Sequence, residues 1–292
     1  ITGHIEYGKG INALNCFERM QHEGICPDVV TFICILKACG NLGATAKGKE
    51  IHDRIINIGS LDTNILLGNA LINMYAELGM LEKSRQVLKE LPGRDVVSWS
   101  ALIAEYAQQG RGEEALNCFE EMQSEGHCPD IITLTSILKA CGSIKAIEKG
   151  KQIHKDILNK GFLDKDIVLG NALVDFYAKS GMLTKAQDVL YEIPSRDVAS
   201  WNSIIAGHAQ QGQGHEALNC FEKMQSEGHT PDDITIICVL KACGSTGAIA
   251  KGKEIHDELK SRGLLEKHPM IGNALIDMYA KCGVIIKARE VL

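Results

Sequence analysis

The chain has 292 residues, of which 45% are hydrophobic and only 5% aromatic, with a net charge of −6 and a pI near 5.9. Its core must therefore be built mostly from aliphatic side chains and Ala, which suits close helix–helix packing better than a β-sandwich. The acidic balance argues against a partner held by a general basic surface, because phosphate-dominated affinity needs an excess of Lys and Arg. No run approaches the ~18 consecutive apolar residues of a membrane span, and residues 1–10 do not read as a signal peptide. The sequence does not begin with Met, so it reads as a fragment or processed form that has lost its targeting segment.

Internal repetition dominates the sequence. Ala-Leu-Asn-Cys-Phe-Glu occurs at 13–18, 115–120 and 217–222, Lys-Ala-Cys-Gly at 37–40, 139–142 and 241–244, and Gly-Asn-Ala-Leu at 68–71, 170–173 and 272–275, always 102 residues apart. Pro-Asp at 27–28, 129–130 and 231–232 and Arg-Asp at 94–95 and 196–197 divide the period further. In chain order the units are a cut one at 1–28, then 29–64, 65–95, 96–130, 131–166, 167–197, 198–232, 233–268, and a second cut one at 269–292. They alternate among 35, 36 and 31 residues, and together they form a single array over 1–292.

Each unit reads as a helical hairpin. In 96–130, Val96, Trp99, Leu102, Ile103 and Tyr106 recur at helical spacing. Gly110 and Gly112 break that helix, Ala115, Leu116, Phe119 and Met122 line one face of a second, and the stretch from Gly126 to Pro129 ends it. Gly142 and Gly181 are the equivalent breakers in the next two units. Pro27, Pro92, Pro129, Pro194 and Pro231 fall in inter-unit loops, where a missing N–H does no harm, and Pro269 falls at the start of a first helix. A hairpin this short cannot bury its apolar face alone, so the units must stack. The expected fold is all-α: a right-handed α-solenoid superhelix of stacked helix-turn-helix repeats, with the first helix of each unit on the concave side.

The eleven cysteines include no Cys-x-x-Cys, and Cys16, Cys118 and Cys220, like Cys39, Cys141 and Cys243, recur at the 102-residue period. Disulfides are not expected; the thiols read as small buried apolar groups in a reducing compartment. Trp99 and Trp201 read as core. His52, His154 and His256, inside Gly-Lys-x-Ile-His, read as packing or helix-end contacts, because no second metal ligand lies at helical spacing. Lys47, Lys49, Lys149, Lys151, Lys251 and Lys253 read as a solvated outer face. No unit carries a recurring acid–base–nucleophile set, so the chain is not read as an enzyme, and no cofactor or metal is expected.

The unit 96–130, ending Gly-His-Cys-Pro-Asp, resembles the pentatricopeptide repeat. The 35/36/31 alternation resembles its PLS subclass, found in plant organelle RNA-editing factors: long units carry Ile-Leu-Lys-Ala-Cys-Gly and Gly-Lys-x-Ile-His, and short units carry Gly-Asn-Ala-Leu followed by Tyr-Ala-x-x-Gly. The resemblance spans the whole chain. It implies single-stranded RNA running parallel to the chain, about one base per unit, read by the fifth and last residues of each unit. The implied pairs are Asn69 with Asp95, Ser100 with Asp130, Thr135 with Asp166, Asn171 with Asp197, and Asn202 with Asp232, with Asn273 the fifth residue of the cut unit. Ile33 with Asn64 and Ile237 with His268 would read poorly, because Ile cannot hydrogen-bond a base. The second residues, Leu66, Val97, Ile132, Val168, Ala199, Ile234 and Met270, would stack on bases.

The chemistry is consistent with that implication. An Asn amide offers a donor and an acceptor to a pyrimidine edge. A Ser or Thr hydroxyl is shorter and leaves room for a purine, and an Asp accepts from a base N–H or through water. With the family's preferences, units from 65 onward predict 5′-Y-G-(G)-Y-U-n-Y-3′. The inter-unit Asp residues could equally be N-caps of the following helices. His256-Asp257-Glu258 matches the His-x-Glu of zinc deaminases, but the Pro-Cys-x-x-Cys those enzymes need is absent.

The leading expectation is the targeting array of a mitochondrial or chloroplast C-to-U RNA-editing factor, monomeric and off the membrane, with editing accessory proteins as further partners and the deaminase supplied elsewhere. The competing one is a protein-interaction scaffold, since related hairpin arrays bind peptides. Asn202→Ser is predicted to move the preference at its base from U toward G, with each correct contact worth about 1–3 kcal/mol. Binding to four RNAs differing at that base checks this; an unchanged U preference would contradict the assignment.

Overall fold

The computed structural model describes residues 1–59, 61, 64–163, 166–263, 265 and 268–291. Among these residues the regular structure is eighteen helices and no strand, an all-α fold. In chain order they are α1 (Thr2–Glu6), α2 (Gly10–His22), α3 (Val29–Leu42), α4 (Thr45–Ile58), α5 (Ile65–Glu77), α6 (Leu81–Glu90), α7 (Val96–Gln108), α8 (Gly112–Ser124) and α9 (Ile131–Ile144). They continue with α10 (Ile147–Asn159), α11 (Ile167–Lys179), α12 (Leu183–Glu192), α13 (Val198–Gln210), α14 (Gly214–Ser226), α15 (Asp233–Thr246), α16 (Ile249–Ser261), α17 (Pro269–Lys281) and α18 (Ile285–Val291). The chain forms two compact halves, Ile1–Ala140 and Cys141–Leu292.

The odd-numbered helices from α3 onward are the apolar ones, and they pack side by side. In the first half α3 lies on α5 and α5 on α7; in the second, α11, α13, α15 and α17 follow one another in the same way. The even-numbered helices are amphipathic and pack on that layer with one face. In α8 the buried face is Ala115, Cys118, Phe119 and Met122, with Leu116 only half-buried. Trp99 and Trp201 are buried in the core. An apolar first helix flanked on both sides cannot exist alone in water, which is why the hairpins occur only as a stack.

Several expectations require correction. Gly142 lies inside α9, and the turn after that helix falls at Lys145, which adopts φ 57°. The glycine of Lys-Ala-Cys-Gly instead permits close helix approach. A Cβ on Gly142 would sit 3.5 Å from the Cα of Phe176, and one on Gly244 would sit 3.3 Å from the Cα of Met278. Gly112 is the first residue of α8 rather than a breaker; Gly110, at φ 75°, makes that turn. Cys34, Cys39, Cys118, Cys141, Cys220 and Cys243 are buried, but Cys26 and Cys128 are exposed in inter-helix loops, where no apolar layer covers them. Burial pushes the Cys118 thiol up to about 12, so it stays protonated and inert at neutral pH.

The three recurring histidines pack against tyrosines one helix further on. His52 Nδ1 lies 2.8 Å from Tyr75 Oη, and the pairs His154–Tyr177 and His256–Tyr279 are the same length. These are packing contacts in the sense expected. Burial, reinforced by Lys185, lowers the pKa of His154, and burial with Lys83 lowers that of His52. A histidine whose pKa is lower folded than unfolded takes its proton first in the unfolded chain. Its contribution is therefore present above the unfolded value of ~6.5 and is lost as pH falls through the folded one. The melting temperature is predicted to fall between roughly pH 7 and 5, and His154→Gln to flatten that fall; thermal melts across the range check it, and a variant profile parallel to wild type would contradict it.

Candidate nucleic-acid interface

The apolar first helices α3, α5, α7, α9, α11, α13 and α15 each begin at a short polar residue, whereas α17 begins at His268-Pro269 with no side-chain cap. The side chains of Asp28, Asn64, Asp95, Asp130, Asp166, Asp197 and Asp232 accept from the backbone N–H three residues on, at Thr31, Leu67, Ser98, Thr133, Leu169, Ser200 and Thr235. These caps satisfy donors that the start of a helix leaves open, and they pin each cap side chain at the end of its helix. The capping alternative for the inter-unit Asp residues is thus realised.

The carboxylates that cap also face the fifth residue of the preceding unit. Asn69 Nδ2 donates to Asp95 at 3.3 and 3.4 Å, Asn171 Nδ2 to Asp197 at 3.0 and 3.1 Å, and Asn202 Nδ2 to Asp232 at 2.9 and 3.0 Å. Ser100 Oγ lies 3.3 Å from Asp130 Oδ1 and 2.7 Å from Thr133 Oγ1. Four of the predicted pairs therefore meet. Partial burial raises the carboxyls of Asp95, Asp197 and Asp232, but their hydrogen bonds to Ser98 and Asn69, to Ser200 and Asn171, and to Thr235 and Asn202 outweigh it and hold all three below the ordinary carboxylate value. They are ionised at neutral pH and act only as acceptors.

The remaining predicted positions differ. Thr135 is buried like Asn69, Ser100 and Asn202, but its Oγ1 has no hydrogen-bond partner among the described residues. Asp166 caps Leu169 as above. His268 turns to Asp233, with Nδ1 2.5 Å from Oδ2, rather than to Ile237. Asn273 is exposed and lines an open cleft of about 280 Å³ with Ile237, Lys241, Met270, Ala274 and Asp277. The second residues are solvent-facing although apolar: Val97 and Val168 are 55% exposed, Ile234 58%, Leu66 61%, Ile132 62% and Met270 72%. Ala199 is exposed as well. They leave an apolar side chain open to solvent in the first turn of each of these helices.

Sequence reading passed over two features of this face. Lys37, Lys139 and Lys241 are exposed seven residues beyond the apolar second position, on the same side of α3, α9 and α15; the recurring Lys-Ala-Cys-Gly was the available signal. The third residues Ser98, Thr133 and Thr235 are buried in contact with the pairs; the spacing from the capping Asp was the signal there. Among the described residues no cluster of His, Cys, Asp and Glu could hold a metal ion, and no helix is long and apolar enough to cross a membrane.

Comparison with known proteins places these features in a family. The PPR repeat family model matches residues 94–143 and 196–245, the pentatricopeptide repeat domain model 1–42, and the PPR repeat model 69–96, 171–198 and 273–292. The chain is 36% identical over 284 residues to the chloroplastic pentatricopeptide repeat-containing protein At4g18520 of Arabidopsis thaliana, covering 97% of this chain and 46% of that protein. It is 32% identical over 293 residues to the chloroplastic At1g15510 of the same plant, covering 33% of that protein. It thus spans less than half the length of these relatives, and another Arabidopsis thaliana relative, 30% identical, is named as mitochondrial. The pentatricopeptide repeat protein PPR10, solved in complex with an 18-nt psaJ RNA element, shares the fold at a TM-score of 0.80 and 21% identity, over 99% of this chain and 43% of that one. The chain belongs to the pentatricopeptide repeat family.

Proposed function

We propose that the chain binds single-stranded RNA sequence-specifically, about one base per unit, as the PLS-type targeting array of an organellar C-to-U RNA-editing factor. The observation that carries this reading is the junction seen at Asn69–Asp95, Ser100–Asp130, Asn171–Asp197 and Asn202–Asp232. Each junction holds a polar fifth residue against an acceptor, beside an exposed apolar second residue. A base stacked on the apolar group would present its edge to the polar pair, and stacking on such platforms is worth about 1–3 kcal/mol per base. Asp95, Asp197 and Asp232 each leave acceptor capacity for a base N–H or a water. PPR10, a protein of the same fold, was solved in complex with an RNA element, which supports RNA as the class of ligand.

In this reading the units 29–64, 65–95, 96–130, 131–166, 167–197, 198–232 and 233–268, with the cut ones at 1–28 and 269–292, divide the work. Units with Asn or Ser at the fifth position read bases. Units 29–64 and 233–268, with Ile33 and Ile237 there, space the strand and hold it through Lys37 and Lys241, and Lys139 serves unit 131–166 alike. Local lysines, each at the same register of its helix, reconcile RNA binding with a net charge of −6. The protein works as a monomer in a chloroplast or mitochondrion, with editing accessory proteins as further partners, and the deaminase is supplied by a further domain or another protein.

An electrophoretic shift with 5′-Y-G-G-Y-U-n-Y-3′ RNA, a scrambled RNA and the DNA equivalent, at two salt concentrations, tests this. The predicted RNA is expected to bind tightest; equal binding of all three would favour a peptide-binding scaffold. Lys139→Ala is predicted to weaken all RNAs alike and to reduce the salt slope by about 1. An unchanged slope would remove Lys139 from the interface.

A further inference from the structure

We infer that Thr235 and Ser98, the third residues of the units that follow Asn202 and Asn69, are positioning residues for base selection: each hydroxyl holds the Oδ1 end of the upstream carboxamide while the carboxylate holds the Nδ2 end, so that the amide cannot swing. The inference rests on the RNA-reading role proposed above. Thr235 Oγ1 donates to Asn202 Oδ1 at 2.5 Å, and Ser98 Oγ donates to Asn69 Oδ1 at 2.5 Å. Both hydroxyl-bearing residues are fully buried, so water does not compete for these bonds.

The two ends of a carboxamide are alike in shape, and only their partners tell them apart. Here one end faces an acceptor-only carboxylate and the other a hydroxyl donor. Asn202 Nδ2 therefore points to Asp232, at 2.9 and 3.0 Å, and Oδ1 to Thr235. That arrangement leaves one Nδ2 hydrogen and one Oδ1 lone pair for a base, in a fixed order along the edge. A pyrimidine edge, with its own ordered donors and acceptors, is selected by such an order and not by a carboxamide free to turn.

The junction at Asn171 shows that the hydroxyl contact is separable from the helix cap. It has the same residue types, Asn, Asp and Ser, and the same cap from Ser200 N to Asp197 at 2.9 Å. Ser200 Oγ lies 2.8 Å from Asp197 Oδ1, as Ser98 Oγ lies 2.8 Å from Asp95 Oδ1 and Thr235 Oγ1 2.9 Å from Asp232 Oδ1, but it also lies 3.0 Å from the backbone oxygen of Asp197, and Asn171 Oδ1 is buried with no hydrogen-bond partner among the described residues. Capping thus needs the backbone N–H of the third residue, whereas holding the Oδ1 end of the Asn needs its hydroxyl; the Nδ2 end meets the carboxylate with or without it, as at Asn171, 3.0 and 3.1 Å from Asp197. The serine and threonine at this position complete capping boxes with Asp95 and Asp232; their second contact, to a residue about thirty positions upstream, gives them a separate task.

The test uses the full chain and four RNAs of the predicted sequence that differ only at the base facing Asn202, with affinities read by fluorescence anisotropy. Thr235→Val keeps the side-chain shape and the backbone cap but removes the hydroxyl. It is expected to shrink the preference for U over the other bases about fivefold, the factor for one net hydrogen bond, while changes at the other bases keep their effects. Thr235→Ser is expected to restore the preference, which a general loss of packing would not allow. If Thr235→Val does not fold, Ser98→Ala read at the base facing Asn69 answers the same question. An unchanged profile in the hydroxyl variant, with a flattened one in Asn202→Ala, would overturn this inference and leave the RNA-reading role standing. An unchanged profile in Asn202→Ala would overturn both.

Discussion

The structure depends on a carboxylate that serves two helices at once. Asp95, Asp197 and Asp232 each cap the first helix they precede and accept from an Asn on the first helix of the preceding unit. A cap fixes where a helix starts; the second bond fixes how that start is placed against its neighbour. Because the same atoms do both, the spacing between consecutive first helices and the orientation of the polar group at each junction cannot vary independently. The exposed apolar residue two positions after each carboxylate is carried to its place by the same constraint, since it lies in the first turn of the capped helix.

The remaining architecture maintains that geometry. The first helices are apolar enough to be covered on both flanks, and Phe176, Trp99 and Trp201 fill the layer they form. The glycines of Lys-Ala-Cys-Gly and of Gly-Lys-x-Ile-His remove side chains where helices come closest; a Cβ on Gly150 would meet the ring of Phe176 at 2.1 Å. The histidine–tyrosine pairs tie the second helix of a long unit to the first helix of the next short one, within each half of the chain. Ion pairs, Arg85 of α6 with Glu121 of α8 and Arg196 with Glu227 in the segments flanking helices, link neighbouring units as well. At exposed sites such pairs contribute little individually, so packing of the first-helix layer carries most of the stability.

Much of this was legible in the sequence because the repeat superimposes its own evidence. The Pro-Asp and Arg-Asp dipeptides mark helix starts, and α7 and α13 begin at the residue after Asp95 and Asp197. The fifth and last residues of each unit could be singled out through the family resemblance, and at four junctions they touch. What escaped was contact in the third dimension. Gly142 looks like a breaker in one dimension, but its role is set by Phe176 on another helix. Thr235 and Ser98 look like caps, and only the fold brings their hydroxyls to Asn202 and Asn69. Cys26 and Cys128 share a residue type with the buried cysteines, but their loops lack a neighbour to cover them.

The central claim is that these junctions turn a stack of helical hairpins into a reader of base order. Selection from a random single-stranded RNA pool, with no sequence supplied in advance, tests it most directly. The account predicts an enriched motif with pyrimidines spaced as Asn69, Asn171 and Asn202 are spaced along the array, a purine at the base facing Ser100, and no preference at the base facing Ile237. Enrichment of no motif, or of one with purines at the three Asn positions, would contradict it.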